Sequence, residues 1–466
     1  MRFYNSRYNF TIPVTGGELL YNSKTAGTVL IDNPVVRDFL PYLTGDKLYF
    51  EEEDLSESII SLFLKNGFLV EDDRNELEEI RETYWKARGE TPVSYTIVTT
   101  MDCNLGCYYC YENRSKHQLE SVDIDVIIAH IEKTFDGNFK RSLHVDWFGG
   151  EPLLNVAFME AASLRIQEFC EQHGITYHAS VVSNGTLWPE NVTEFVKKHK
   201  IRQVQITFDG IKESHEKIRR YRREFQEGKS SFDEAINLIN ELANYVRVDL
   251  RFNISPLNQH ELIPFMDYIE GQGFFNKKYP VTFFPAMVSA YTEKSAFVRK
   301  EEFTQKEYDG LTEEIGERLK GIGKVADANN PHDFPFPKNY VCAALANDSH
   351  VIGADKSLHR CGLEVGEKHL AVGHFTDSNT IMDANKSWWD KFDPCNLPSC
   401  SKCSFLPVCF GSCAKKHFDR DQHSLDAVSE FWKNNLSRMV SSYLNYTLEG
   451  PPNFTEKDQF RSGYNS

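Results

Sequence analysis

The feature that most restricts the fold is a rhythm that begins at Ser94. Runs of β-branched and aromatic residues alternate there with amphipathic helical stretches, six times over. The strands read as Tyr95–Thr100, Leu143–Phe148, Tyr177–Ser183, Gln203–Phe208, Arg247–Ile254 and Val281–Pro285. Helices are expected at Val122–Phe135, Val156–His173, Pro189–Lys198, Phe232–Tyr245, Glu261–Glu270 and Thr304–Lys320. The pattern predicts an α/β chain with a parallel sheet, wound as a partial (β/α)6 barrel. Its chemistry is then expected at the C-terminal ends of the strands.

The flanks lack this rhythm. Residues 1–90 read as a small module with strands near Tyr8–Val14, Glu18–Asn22 and Gly27–Asp32. Helical stretches follow at Pro34–Leu43 and Leu55–Asn66, then a strand at Gly67–Glu71 and a charged segment, Asp72–Glu90. The expected division is therefore 1–90, a barrel at 91–323, a loop-rich cysteine domain at 324–423, and a helix with its tail at 424–466. That last helix carries an apolar stripe of Phe431, Trp432, Leu436, Met439, Val440 and Leu444.

Composition removes several classes of function. At 466 residues the chain can bury more than one core. No apolar run approaches the roughly 20 residues of a membrane helix, and the N-terminus lacks the basic start and apolar core of a secretory signal. A cytoplasmic protein with no membrane partner is the expectation. A net charge of −16 repels polyanions, so nucleic acid is not an expected partner. Eleven cysteines without an export signal point to metal binding or catalysis, because the cytosol keeps thiols reduced.

The cysteines fall in two groups. Directly after the first repeating strand stands Cys103-Asn-Leu-Gly-Cys107-Tyr-Tyr-Cys110. Three thiolates on one loop can grip one face of a cubane cluster and leave its fourth iron open. Zinc is the competing metal, but it prefers four ligands, commonly as two C-x2-C pairs, and Cys103 has no nearby fourth thiol. Cys170, inside a helix with no cysteine neighbour, reads as a buried structural thiol. The other seven cysteines, Cys342, Cys361, Cys395, Cys400, Cys403, Cys409 and Cys413, crowd into the loop-rich region.

With this spacing, and an aromatic Tyr109 before the last cysteine, the sequence resembles the radical S-adenosylmethionine (SAM) superfamily. The resemblance implies a 4Fe-4S cluster whose open iron is chelated by SAM, with reductive cleavage to a 5'-deoxyadenosyl radical. It assigns Gly149, Gly150 and Glu151, at the end of the second strand, to the SAM amino group. Ser183 and Asn184, ending the third, match the family's ribose and carboxylate contacts. Arg219 or Arg220, in the basic cluster around His215, would pair with the SAM carboxylate. Asp209, Arg251 and Tyr291 are candidate catalytic residues at the barrel mouth.

The run Cys400-x2-Cys403-x5-Cys409-x3-Cys413 resembles the SPASM extension of that superfamily, which holds two auxiliary 4Fe-4S clusters. The resemblance implies Cys342, Cys361 and Cys413 for one cluster and Cys400, Cys403 and Cys409 for the other. Two cubanes want eight ligands and seven cysteines are present, with none after Cys413, so Cys395 is the expected substitute. Where the family has a glycine five residues before the second hairpin cysteine, this chain has Lys356, which puts that turn in question.

Auxiliary clusters suit a reaction in which the substrate radical loses an electron, a net oxidation. The implied function is an enzyme that oxidatively modifies a ribosomally made peptide, foremost by C–S or C–C cross-linking. Its partners are a precursor peptide and an external electron donor such as flavodoxin or ferredoxin. Residues 1–90 resemble a winged-helix element that binds a precursor's leader by strand addition. The competing functions are a sulfatase-type formylglycine maturase, backbone excision, and a non-catalytic iron-sulfur electron carrier.

Overall fold

The computed structural model describes residues 2–32, 49–321, 334–375 and 384–449, apart from Glu52, Leu55, Asp73, Gln226, Glu227 and Pro280, together with Phe454. The helix expected at Pro34–Leu43 lies outside the described residues. The chain divides into two compact units. One comprises 1–90, 316–342 and 391–466, the other 91–315 and 343–390. Among the described residues no helix is long and apolar enough to cross a membrane.

The first unit holds two small antiparallel sheets. Strands β1 (Arg2–Asn5), β5 (Tyr49–Glu51) and β6 (Leu69–Glu71) pair in the order β5-β1-β6, and β2 (Asn9–Val14), β3 (Gly17–Asn22) and β4 (Thr28–Ile31) form a meander. The short strands β1 and β5 were not expected from the sequence. Phe63 of the helix Glu57–Asn66 packs with Phe3, Phe50 and Phe68. The meander instead shares its core with the C-terminal segments: Phe10, Ile12, Val14 and Tyr21 lie against Phe405, Val408, Leu436 and Val440. Each such fully buried side chain contributes about 1.5–3 kcal/mol.

Residues 1–90 also bond to C-terminal residues of the same unit. Tyr84 Oη and Arg88 Nη1 donate to the Phe392 carbonyl at 2.9 and 3.0 Å, and Ser23 Oγ donates to the Ser404 carbonyl at 2.7 Å. The apolar stripe of the terminal helix, Gln422–Tyr443, supplies Leu436 and Val440 to this core.

The second unit is built on one nine-stranded sheet. Its parallel strands are β7 (Val93–Thr100), β8 (Ser142–Gly149), β9 (Thr176–Ser183), β10 (Ile201–Phe208), β11 (Arg247–Ile254) and β12 (Thr282–Met287), neighbours in chain order. Helices follow β7 to β11, as at Val156–Gln172 and Ser231–Leu242. Helical crossings of this kind place consecutive parallel strands side by side. Cys170 is buried in the helical layer, as expected.

On the outer side of β7 the sheet continues with β13 (Ser349–Ile352), parallel to β7, then β14 (Ser357–His359) and β15 (Gly373–His374), antiparallel. The turn between β13 and β14 forms despite its lysine. Lys356 takes a left-handed backbone, φ 70°, which costs a non-glycine residue about 1 kcal/mol. Its Nζ meets Asp123 Oδ1 at 2.7 Å, an ion pair that a glycine could not make.

Candidate functional site

The site grows from the C-terminal ends of β7, β8 and β9. After β7 the chain turns into the cysteine loop, and β8 ends against that turn. Gly149 has φ +146°, and a Cβ there would stand 2.3 Å from the Thr100 carbonyl oxygen; one on Gly150 would stand 2.3 Å from that of Asp102. Only glycine permits so close an approach of two backbones. Gly150 N donates to Thr100 O at 3.1 Å and Glu151 N to Asp102 O at 2.9 Å, closing the junction.

Side chains then fix the loop to its neighbours. Asn104 donates to Thr186 Oγ1 and accepts from Asn184 Nδ2, both at 2.8 Å. Arg222 donates to the Cys103 carbonyl at 2.7 Å and pairs with Asp102, while Gly106 N donates to the Arg220 carbonyl at 2.8 Å. Arg220 therefore meets the loop through its backbone.

Glu151 is fully buried and its carboxylate serves the chain itself. It accepts from Asn184 N at 2.7 Å, Ser183 Oγ at 3.0 Å and Leu153 N at 3.2 Å. Burial pushes its carboxyl up to about 7, against the pull of those donors. The side chain links the ends of β8 and β9. Ser183 Oγ is likewise occupied, accepting from Gly185 N at 3.0 Å.

Cys103, Cys107 and Cys110 all line one cavity of about 180 Å³, with Gly149, Gly150, Ser183, Asn184 and Arg219 on the same walls. Tyr109, Arg251 and Tyr291 line it too; Glu151 and Asp209 do not. Tyr109 Oη accepts from Arg219 Nη1 at 3.1 Å and Asn253 Nδ2 at 2.8 Å, tying the loop to β11. Asp209, buried at the end of β10, lies 3.5 Å from Arg219. His215 is core, against Phe208 and Phe232.

The donor set fits an anionic iron-sulfur cluster on this loop. Burial pushes the Cys107 thiol up to about 11 and raises those of Cys103 and Cys110, so a cation is needed to hold them as thiolates. Arg219 and Arg114 act on Cys107, and Arg114 and Lys294 on Cys110, supplying positive charge around it. Among the described residues no three histidine, cysteine, aspartate or glutamate side chains converge to hold a single metal ion.

The other cysteines are less unified. Cys342 and Cys413 belong to the first unit and Cys361 to the second. Within the first unit, Cys409 acts electrostatically on Cys400, and Cys403 packs at the edge of the meander core. Cys395 has a setting of its own: burial and the nearby Asp393 push its thiol up to about 12, and Asp393 pairs with Arg81 at 3.1 Å.

Sequence reasoning missed Glu112, Asn104 and Asn253. Glu112 lines the cavity, and burial pushes its carboxyl up to about 8. Its position two residues past Cys110 was the available signal, as was Asn104's beside Cys103.

Residues 97–269 match the radical SAM superfamily profile. The chain is 26% identical over 257 residues to the radical SAM cyclopropyl synthase TigE of Paramaledivibacter caminithermalis, covering 49% of this chain and 52% of that protein. It is 25% identical over 185 residues to the sporulation killing factor maturation protein SkfB of Bacillus subtilis, covering 40% of this chain and 41% of that protein. The chain thus spans about half the length of the curated relatives it matches. Among solved structures, native anSMEcpe with bound AdoMet and the Cp18Cys peptide is similar at a TM-score of 0.56 and 17% identity, over 76% of this chain and 99% of that one, a likeness of fold. This chain contains a radical SAM domain, spanning residues 97–269.

Proposed function

We propose that the chain is a radical SAM maturase that oxidatively modifies a ribosomally made peptide, foremost by C–S or C–C cross-linking. The observation that carries this reading is the shared cavity, in which the three loop thiols face the same space as Arg251 and Tyr291. The second unit is read as a partial (β/α)6 barrel with its mouth at that cavity. When bound, a 4Fe-4S cluster and SAM supply a 5'-deoxyadenosyl radical. Cys103, Cys107 and Cys110 would hold the cluster.

The chain's own residues bind and orient. Gly149 and Gly150 let the backbone approach the SAM amino group, Asn184 reaches the ribose and carboxylate side, and Arg219 offers its fork to the carboxylate. Glu151 and Ser183 hold the strand ends that carry these contacts. Tyr109 keeps Arg219 in place.

Cys400, Cys403 and Cys409 of the first unit, with Cys395 as the substitute fourth ligand, would hold an auxiliary cluster, which would supply an acceptor for the electron released when the new bond closes. An external flavodoxin or ferredoxin would supply the reducing electron. The sheet β5-β1-β6 has two short edge strands to which a leader peptide could add. The names of the relatives support a peptide substrate: SkfB is a maturation protein, and anSMEcpe was solved with a peptide.

The test is co-expression with a short peptide encoded beside this chain, followed by mass spectrometry. Cross-linking is expected to remove two hydrogens per link, and a Cys103→Ala variant is expected to return the peptide unmodified. An unmodified peptide with the intact chain, or formylglycine in a neighbouring sulfatase, would contradict the reading.

A further inference from the structure

On the cavity side of the sheet, every charged side chain of the described strands and their ends but one meets a carboxylate, guanidinium or imidazole partner from the protein. Paired residues of parallel strands share a face, which here places Asp146, Ser180, Gln203 and Arg247 in one row, and Gln205 with Asp249 in the next. Asp146 accepts from His144 Nε2 at 2.9 Å and from Ser180 Oγ. Asp249 accepts from Arg247 Nε at 2.8 Å and from the Gln203 amide. Asp209 lies beside Arg219.

Arg251 is the exception. It stands in the row above, between Thr207 of β10 and Phe284 of β12, and lines the cavity. Its Nε donates to Asn253 Oδ1 at 2.8 Å. Among the described residues no carboxylate lies within ion-pair distance of its guanidinium. The cations that act most strongly on the loop thiols are Arg219, Arg114 and Lys294, whereas Arg251 acts on Asp209, Tyr111 and Tyr308.

A guanidinium left in a recessed cavity with no carboxylate in ion-pair contact is costly, and its planar fork matches a carboxylate better than any other common group. We propose that Arg251 is an anion subsite that receives a carboxylate of the peptide substrate, an aspartate or glutamate side chain or the C-terminus, close to the residue that reacts. The proposal rests on the peptide-maturase reading and names the chemistry its substrate must present. Tyr111 and Tyr291, their rings 5.5 Å apart and edge-on, and Met287 offer apolar walls for the methylene stem of such a side chain.

The other carboxylate available is that of SAM. Its proposed contacts lie at the ends of β8 and β9, and β11 is two strands, roughly 10 Å, from β9. Arg219 stands nearer the thiols and suits that carboxylate better.

The experiment is an anaerobic calorimetric titration of the cluster-loaded protein with N-acetyl-L-glutamate N-methylamide, compared with the isosteric N-acetyl-L-glutamine N-methylamide. The acid is expected to bind about tenfold tighter than the amide, and equally so at saturating SAM. Arg251→Gln is expected to erase that preference, and Arg251→Lys, which keeps the charge but not the fork, to retain part of it. Equal binding of acid and amide by the unaltered protein would overturn the proposal, as would a preference that survives in Arg251→Gln. A preference that saturating SAM abolishes would assign the guanidinium to SAM and overturn it too. Release of 5'-deoxyadenosine with SAM and dithionite is read separately: a protein that prefers the acid but cleaves no SAM supports the anion subsite and overturns the maturase reading.

Discussion

The two cysteine-rich regions are held by different means. Cys103, Cys107 and Cys110 hang from the end of a central parallel strand, and the loop is pinned by β8 glycines, Asn104 and Arg222 before any ligand arrives. Cys395, Cys400 and Cys409 sit on helical turns no more than four residues long, with Cys403 on the link between two of them, steadied by the meander and the terminal helix. The first region is preorganised by a sheet; the second has little regular structure to fix its thiols. A strand-end site should therefore lose function without losing its fold, while the turn-borne thiols should depend on what they bind.

The largest expected effect breaks the first region alone. Cys107→Ala should lower SAM cleavage by about a thousandfold or more while leaving the thermal midpoint of the apoprotein nearly unchanged. If the midpoint collapses with the activity, the loop was not preorganised.

Next, Gly149→Ala should destabilise the strand-end junction by about 2–4 kcal/mol, read from a denaturant midpoint, because the new Cβ meets the Thr100 carbonyl at 2.3 Å in a left-handed backbone. A neutral result would mean the junction can open.

Glu151→Gln should cost about 1–3 kcal/mol, since one carboxylate oxygen becomes an NH2 facing a backbone or hydroxyl donor. The same residue sets a pH signature. Its folded carboxyl titrates at about 7 against an ordinary 4.5, so the unfolded chain ionises first. Stability should fall as pH rises from 4.5 to about 7 and level off above, and the Gln variant should lose that slope.

The smallest effect sharpens the second region. Cys395→Ala should lower iron content less than Cys400→Ala, because the expected substitute ligand Cys395 lies beside Asp393 and Arg81 while Cys400 lies beside Cys409. An unchanged iron content in Cys395→Ala would remove that residue from the cluster.

The parallel sheet was legible because each strand alternates or runs apolar between helices of regular length, and each of the six expected strands overlaps an observed one. The site was legible where backbone geometry demands a residue type, as at Gly149 and Gly150. It was not legible where a polar side chain works through a partner distant in sequence: nothing near Asn253 announces its bond to Tyr109, 144 residues away. The packing of the N-terminal strands was not legible for the same reason. The meander of residues 9–31 finds its core among residues 405–440, a pairing that no local pattern encodes.

The claim on which all of this rests is that the loop after β7 is a SAM-cleaving centre. Anaerobic incubation of the iron-loaded protein with SAM and dithionite, with 5'-deoxyadenosine counted by chromatography, tests it directly. Release by the intact chain, and none from Cys103→Ala, Cys107→Ala or Cys110→Ala, is the predicted result. No release from the intact chain, or release that survives loss of any one of the three thiols, would contradict it.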